Sequence, residues 1–407
     1  MPTIVIVGAG LAGAKAAEAL RDNDFSGRII LFGNERQQPY ERPPLSKDFL
    51  ADKKTLADFT VQPEDWYREH DIDLRLGTEV QNLDPGEHSV GFADGRHEHY
   101  DKLLLATGSR ARRLDLPGAD ATGVHTLRTV EDASALLSAL RPGSRLAIVG
   151  AGWIGLEVAA SARQRGATVA VVEAAELPLL AALGPEVAQV FADLHTGHGV
   201  DLRLNSGVEA ITTAAGGGVT GLRLGDGATV PADHVLIAVG AQPNIALAEK
   251  AGLEMADGGV AVDESLRTSD ADIYAVGDIA AAHHPLFGGR IRTEHWANAL
   301  KQPAVAAVGA LGSPGSYDEL PYFFTDQYDL GMEYVGHAPD YDSVVFRGDV
   351  GAREFTAFWL DQQARVRAGM NVNIWDGLDD IKALIRSGER VDAARLADPQ
   401  VPLAALH

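Results

Sequence analysis

There is no cysteine among the 407 residues. That absence excludes disulfide staples, thiolate metal sites, cysteine-ligated iron-sulfur clusters and any mechanism built on a cysteine nucleophile or redox-active thiol. Positive charge is also scarce: 35 Lys and Arg against 57 Asp and Glu leave a formal charge of −22, which repels nucleic acid and anionic membranes overall. An acidic partner must therefore find a local basic patch. No apolar run approaches the roughly 18 residues needed to cross a bilayer. The opening Met-Pro-Thr shows neither a basic n-region nor a small-residue cleavage site, and a cytoplasmic protein is expected.

Glycine, by contrast, is plentiful. The 44 glycines follow no collagen period, which assigns the excess to turns and close backbone approaches. Two of these turns are near copies: IVIVGAGLAG at 4–13 and LAIVGAGWIG at 146–155. Each joins a β-branched run to G-x-G-x-x-G and then to a helical stretch, AKAAEALRD in one copy and LEVAASARQRG in the other. A further strand follows each helix, RIILFG at 28–33 and ATVAVVE at 167–173. These are two βαβ units in the context a dinucleotide fingerprint requires, with the pyrophosphate on the helix N-terminus. A pair of Gly-rich turns without a ligand is the plainer reading. Glu35 and Glu173 end the second strands, slightly beyond the ~20 residues at which a carboxylate meets a ribose 2′-hydroxyl. Because a carboxylate repels a 2′-phosphate and no Arg occurs in AAELPLL after it, Glu173 favours NADH over NADPH. Both acids also read as solvated strand-end charges.

A second matched pair, LLLATGS at 103–109 and VLIAVGA at 235–241, is expected to close each nucleotide unit. The strand YAV in 274–276 ends in Gly277-Asp278, a loop carboxylate suited to a ribityl chain or, alternatively, to a helix N-cap. Glycines at 216–218 and 225–227 read as hairpin turns. After about residue 316 aromatics cluster in YFFTDQY, DSVVFRGDV and EFTAFWL alternate as antiparallel strands, and DGLDDIKALIRSGE reads as a helix.

PYERPPLSK at 39–47, ATG at 106–108, YAVGDIA at 274–280, EHWANALKQ at 294–302 and LADP at 396–399 occur in that order with the two fingerprints. In these motifs the chain resembles the FAD-dependent ferredoxin reductases of cytochrome P450 and Rieske-type oxygenases, the putidaredoxin reductase and rhodocoxin reductase family. The resemblance implies an α/β, glutathione-reductase-like flavoprotein with two dinucleotide domains and a C-terminal α+β interface domain. Its boundaries would be 1–112 and 240–315 for FAD, 113–239 for NAD, and 316–407 for the C-terminal domain. It also implies FAD contacts at Gly8, Gly10, Ala12, Gly13, Glu35, Arg42, Lys47, Val80, Thr107, Gly108, Arg128, Gly277, Asp278 and Trp296. NADH contacts would fall on Gly150, Gly152, Trp153, Ile154, Gly155, Glu157, Glu173 and Gly240. Relatives usually carry Arg after the second ribose acid, and ELPLLAALG has none.

The same resemblance places Lys47 beside flavin N5, where a cation favours the reduced state. Glu157, on the apolar stretch GLEVAAS, needs a partner if buried, and Lys47 is the candidate. A solvated lysine and a surface glutamate are the alternative. A helix from about Glu294 would point its N-terminal dipole at the flavin, with Trp296 covering the ring or packing in the core and Pro303 kinking or ending it. Without cysteine, electrons must leave the flavin directly. A [2Fe-2S] ferredoxin is the acceptor the resemblance implies, docking near Arg290, Arg292 and Lys301 unless these are scattered solubilising charges. A rubredoxin reductase, or an NADH-sensing flavin-binding interaction protein like the apoptosis-inducing factors, are the competing readings.

Overall fold

A computed structural model describes residues 1–406. The chain forms two compact units: Met1–Glu41, Leu56–Arg110 and Ala241–Pro321 make the first, and Arg42–Thr55, Ala111–Gly240 and Tyr322–His407 the second. The stretch Tyr322–His407, expected as part of a domain of its own, groups with Ala111–Gly240 in the second unit. Residues 42–55 fold with the second unit. Residues 316–321 stay with the first, where Tyr317 is buried and its hydroxyl donates to Asn298 Oδ1 at 3.0 Å.

The first unit is built on a five-stranded sheet in the order Ile273–Ala275, Lys102–Leu105, Thr3–Val7, Arg28–Phe32, Ile72–Arg75, all parallel. Ile4, Val5, Ile6, Ile29, Ile30 and Leu31 are buried on both faces, which is why these strands read as continuous apolar runs without alternation. The helix Leu11–Asp22 presents Ala14, Ala16 and Ala17 to the core and packs on the helix Trp296–Ala310. Pro303 does not end that second helix, which runs on to Ala310. Burial of Ala306, Ala307 and Ala310 on the following turns offsets the lost backbone bond.

The second unit repeats the pattern, with parallel strands ordered Asp201–Arg203, Thr168–Val172, Arg145–Val149, His234–Ile237, Val124–His125. Lys102–Leu105 and His234–Ile237, the strands expected to close each nucleotide unit, each lie beside the first strand of their sheet. The edge is taken by Ile273–Ala275, later in the chain, in one unit and by Val124–His125, earlier in the chain, in the other. Antiparallel ribbons over Val208–Thr213, Val219–Leu224 and Thr229–Pro231 turn at the two glycine clusters. The C-terminal part is a five-stranded antiparallel sheet, Tyr322–Gln327, Leu330–Gly336, Val366–Val372, Glu354–Leu360, Ser343–Asp349, with the helix Leu378–Ser387. Neither strand expected to alternate does so: all of Glu354–Leu360 but Glu354 is buried in a strand paired on both edges, and the edge strand Ser343–Asp349 is half-buried or exposed throughout.

Candidate active site

In the first unit the strand Thr3–Val7 turns into its helix through three glycines with separate tasks. Gly8 has φ +114°, and a Cβ there would lie 2.1 Å from the Ala106 carbonyl oxygen. A Cβ on Gly13 would lie 1.9 Å from the Gly8 oxygen, so helix and strand can approach only if this position is glycine. Gly10, the N-cap residue, faces open space, with nothing within 4 Å of its Cβ position and no side chain capping the helix. A tight turn, a close packing contact and an open middle are what a pyrophosphate requires.

Around this cradle, Glu35 accepts a 2.5 Å hydrogen bond from Tyr40. Thr107 and Asn244 exchange bonds of 2.7 and 2.9 Å. Gly108 and Gly277 take φ +61° and +75°, and the Gly277 N–H donates to Gln302 Oε1 at 2.7 Å. Asp278 is buried within the short 3-10 turn Gly277–Ile279, so it is not the N-cap of a helix. Ala12 and Val80 are buried, Val80 within the unit's core. Trp296 is half-buried as the first residue of its helix.

The second unit reproduces the cradle. Gly150 has φ +102° and its Cβ would meet the Ala238 oxygen at 2.5 Å; that of Gly155 would meet the Gly150 oxygen at 2.2 Å; Gly152 is again open. Gly240, φ +100°, is open as well. Glu173 accepts one backbone N–H on each oxygen, from Ala151 at 2.7 Å and Ala175 at 2.9 Å. It thereby ties the acid to the fingerprint loop and leaves further lone pairs for a ribose. Trp153 packs its ring 4.9 Å from Phe323 and 5.7 Å from Phe191, while Ile154 is exposed.

Lys47 and Glu157 meet in the second unit. The helix Trp153–Gln164 buries Glu157 to 5%, and Lys47 Nζ lies 2.8 Å from its Oε1. The double proline folds Pro43–Ser46 into one 3-10 turn that delivers both Ser46 and Lys47 to the carboxylate. Ser46 donates to Glu157 Oε2 at 2.5 Å and Thr325 to Oε1 at 2.6 Å. Lys47 also lies over the Phe324 ring, 5.2 Å from its centroid. A buried carboxylate with a cation and two hydroxyl donors has its hydrogen-bonding capacity met. In the same unit Arg42 donates to the Arg128 carbonyl.

Among these partners, sequence reasoning missed Ser46, Thr325 and Gln327, together with His195 beyond them. A usable signal lay in YFFTDQ, where Thr325 and Gln327 share one strand face and are each about 1% exposed. Two polar side chains on the buried face of a strand require partners. The cations suggested for docking are already engaged. Arg292 pairs with Glu294 at 2.6 Å, Lys301 with Glu319 at 2.8 Å, and Arg290 donates to the Val262 carbonyl.

No helix among the described residues is long and apolar enough to cross a membrane. The family model for the pyridine nucleotide-disulphide oxidoreductases matches residues 2–303, and that for the reductase C-terminal domain matches 322–407. The chain is 42% identical to the 5,5'-dehydrodivanillate O-demethylase ferredoxin reductase subunit of Sphingobium sp., over 99% of this chain and 97% of that protein. It is 41% identical to the anthranilate 1,2-dioxygenase system ferredoxin–NAD(+) reductase component of Burkholderia cepacia, over 98% of each. The crystal structure of the covalent putidaredoxin reductase-putidaredoxin complex superimposes with TM-score 0.95 at 35% identity, over 99% of this chain and 97% of that one. With two glycine cradles of the same build and a match running from residue 2 to residue 303, the chain belongs to the pyridine nucleotide-disulphide oxidoreductase family, as a member with no cysteine.

Proposed function

We propose that this protein is an NADH-dependent ferredoxin reductase of an oxygenase system, a cytoplasmic flavoprotein that hands electrons from NADH to a [2Fe-2S] ferredoxin serving a cytochrome P450 or Rieske-type oxygenase. The observation that carries the reading is the doubled cradle in a chain without cysteine. Two dinucleotides can be held, and no thiol can take electrons between them and the acceptor.

Gly8, Gly10, Ala12 and Gly13 would hold the FAD pyrophosphate, Glu35 its ribose, and Gly277 and Asp278 its ribityl chain, with Val80, Thr107, Gly108, Arg42, Arg128 and Trp296 as further contacts. Gly150, Gly152, Trp153, Ile154, Gly155 and Gly240 would hold NADH, with Glu173 accepting from the adenosine ribose and repelling a 2′-phosphate. When bound, FAD supplies the conversion of a two-electron donor into single-electron steps. The residues supply position and charge. Lys47, fixed by Glu157, would favour negative charge on the flavin, and an ammonium already held in place does so without reorganising.

Anaerobic mixing of the purified protein with NADH tests the reading. Rapid bleaching of a yellow solution is expected, followed by electron delivery to added ferredoxins with cytochrome c as final acceptor. A colourless protein that cannot be reconstituted with FAD, or one that forms only a slow, long-lived charge-transfer complex, overturns it.

A further inference from the structure

The bonds that satisfy Glu157 continue past it within the second unit. Thr325 Oγ1 donates to Glu157 Oε1 at 2.6 Å and accepts from Gln327 Nε2 at 3.2 Å. Gln327 Oε1 in turn accepts from His195 Nε2 at 2.8 Å. Thr325, Gln327 and His195 are all at most 1% exposed, and His195 Nδ1 has no hydrogen-bond partner.

The direction of this chain is determined by its two ends. A carboxylate can only accept, so the Thr325 hydroxyl must donate to it, and its oxygen is then free to accept from an amide N–H. The Gln327 carbonyl consequently faces His195, which must carry its proton on Nε2 and leave Nδ1 bare. Turning the amide round would place the histidine proton on Nδ1, a buried donor with no acceptor, at a cost of about 1–3 kcal/mol. Every donor from His195 onward therefore points toward Glu157. His195 itself is neutral, because a second proton would be left on the same orphaned Nδ1.

We propose that Thr325, Gln327 and His195 are positioning residues, whose one-way chain of hydrogen bonds fixes the Glu157 carboxylate and, through it, the Lys47 ammonium. This rests on the ferredoxin reductase reading, since it is NADH-driven flavin reduction that the fixed ammonium would serve. The chain acts on Lys47 only through Glu157. Its effect is to remove alternative carboxylate rotamers, so that Lys47 does not follow Glu157 away from its working place.

The test compares Thr325→Val, Thr325→Ser and Gln327→Met with wild type in the full-length, FAD-loaded protein, by stopped-flow reduction at saturating NADH and by equilibrium midpoint potential. Thr325→Val removes the donor at nearly constant volume. We expect it to slow reduction about tenfold, with the apparent Kd for NADH changed less than twofold, and Thr325→Ser to return the rate to within twofold of wild type. Gln327→Met should fall between them. A tenfold loss in the relative stability of the reduced flavin would lower the two-electron midpoint by ~30 mV. Wild-type rate and potential in both Thr325→Val and Gln327→Met overturn the inference, as does failure of Thr325→Ser to restore them. If wild type itself holds FAD but NADH does not reduce it, the functional reading has failed first and the inference falls with it. Should Thr325→Val not retain FAD, Thr325→Ser and Gln327→Met decide by the same criteria.

Discussion

Breaking the Lys47–Glu157 pair from either side should already cost most of what removing both partners costs. The ions lie 2.8 Å apart, with side-chain exposures of 13% and 6%. At an effective dielectric near 20 the gross attraction is about 6 kcal/mol, most of it offset by taking both charges out of water. Lys47→Met leaves a carboxylate facing only the Ser46 and Thr325 hydroxyls, and removing one partner of a buried pair typically costs about 3–5 kcal/mol. Glu157→Gln leaves the lysine charge with the Pro43 carbonyl, 3.4 Å away, and the Phe324 ring, a smaller loss of about 2 kcal/mol. The double variant buries neither charge, so its loss should undercut the sum of the single losses by about 2–3 kcal/mol. Urea unfolding followed by hydrogen exchange in peptides covering 153–164 scores only the unit that contains the pair. The same cycle applied to flavin reduction should show each single variant slowed about 100-fold and the double variant slowed little further. Additivity in both measurements would refute the idea that the two residues act as one unit.

His195 gives a pH prediction of definite sign. Burial pushes its imidazole down to about 4, from 6.5 in the unfolded chain. Its contribution to stability is thus complete above pH 6.5 and shrinks as pH falls toward 4, by about 2 kcal/mol between pH 7 and pH 5. Urea titrations of wild type and His195→Gln should show the gap between them closing by that amount, and parallel profiles would contradict it. The glycines should separate folding from binding: Gly155→Ala meets the Gly150 oxygen at 2.2 Å and should destabilise the fold by about 2–3 kcal/mol. Gly152→Ala, at an open position with φ −79°, should melt like wild type yet raise the KM for NADH at least tenfold. The reverse pattern in melting and kinetics would remove the pyrophosphate reading. Because Glu319 already holds the Lys301 ammonium, Lys301→Gln should change ferredoxin kcat/KM less than twofold; a tenfold drop would restore Lys301 as a docking residue.

What was legible in the sequence was whatever is encoded locally. Glycine spacing, β-branched runs and hairpin turns state their own geometry within ten residues, so both fingerprints and the antiparallel C-terminal sheet could be read directly. Lys47 and Glu157 could be paired because a carboxylate buried on an apolar helix face needs a partner and the family resemblance supplied Lys47 as the candidate. Ser46 and Thr325, which complete that site, lie 111 and 168 residues from Glu157, and no periodicity reports such a distance. Of the two outcomes expected of Pro303, kinking or ending the helix, ending is excluded, since the turns beyond it are buried and the helix runs on to Ala310. The partners of Arg290, Arg292 and Lys301 were not legible, because a sequence shows cations without the carboxylates and carbonyls folded against them.

Interleaving of the two units along the chain has a further consequence, for synthesis. As the ribosome releases the polypeptide, Lys47 and Glu157 emerge early, but the strand that carries Thr325 and Gln327 comes only after Pro321. Until then the second unit lacks its C-terminal sheet, and the nascent Glu157 has to wait in water for its last donor. Folding of that unit should accordingly be late and largely post-translational, and ribosome-stalled chains ending before residue 322 should be protease-sensitive across 153–197.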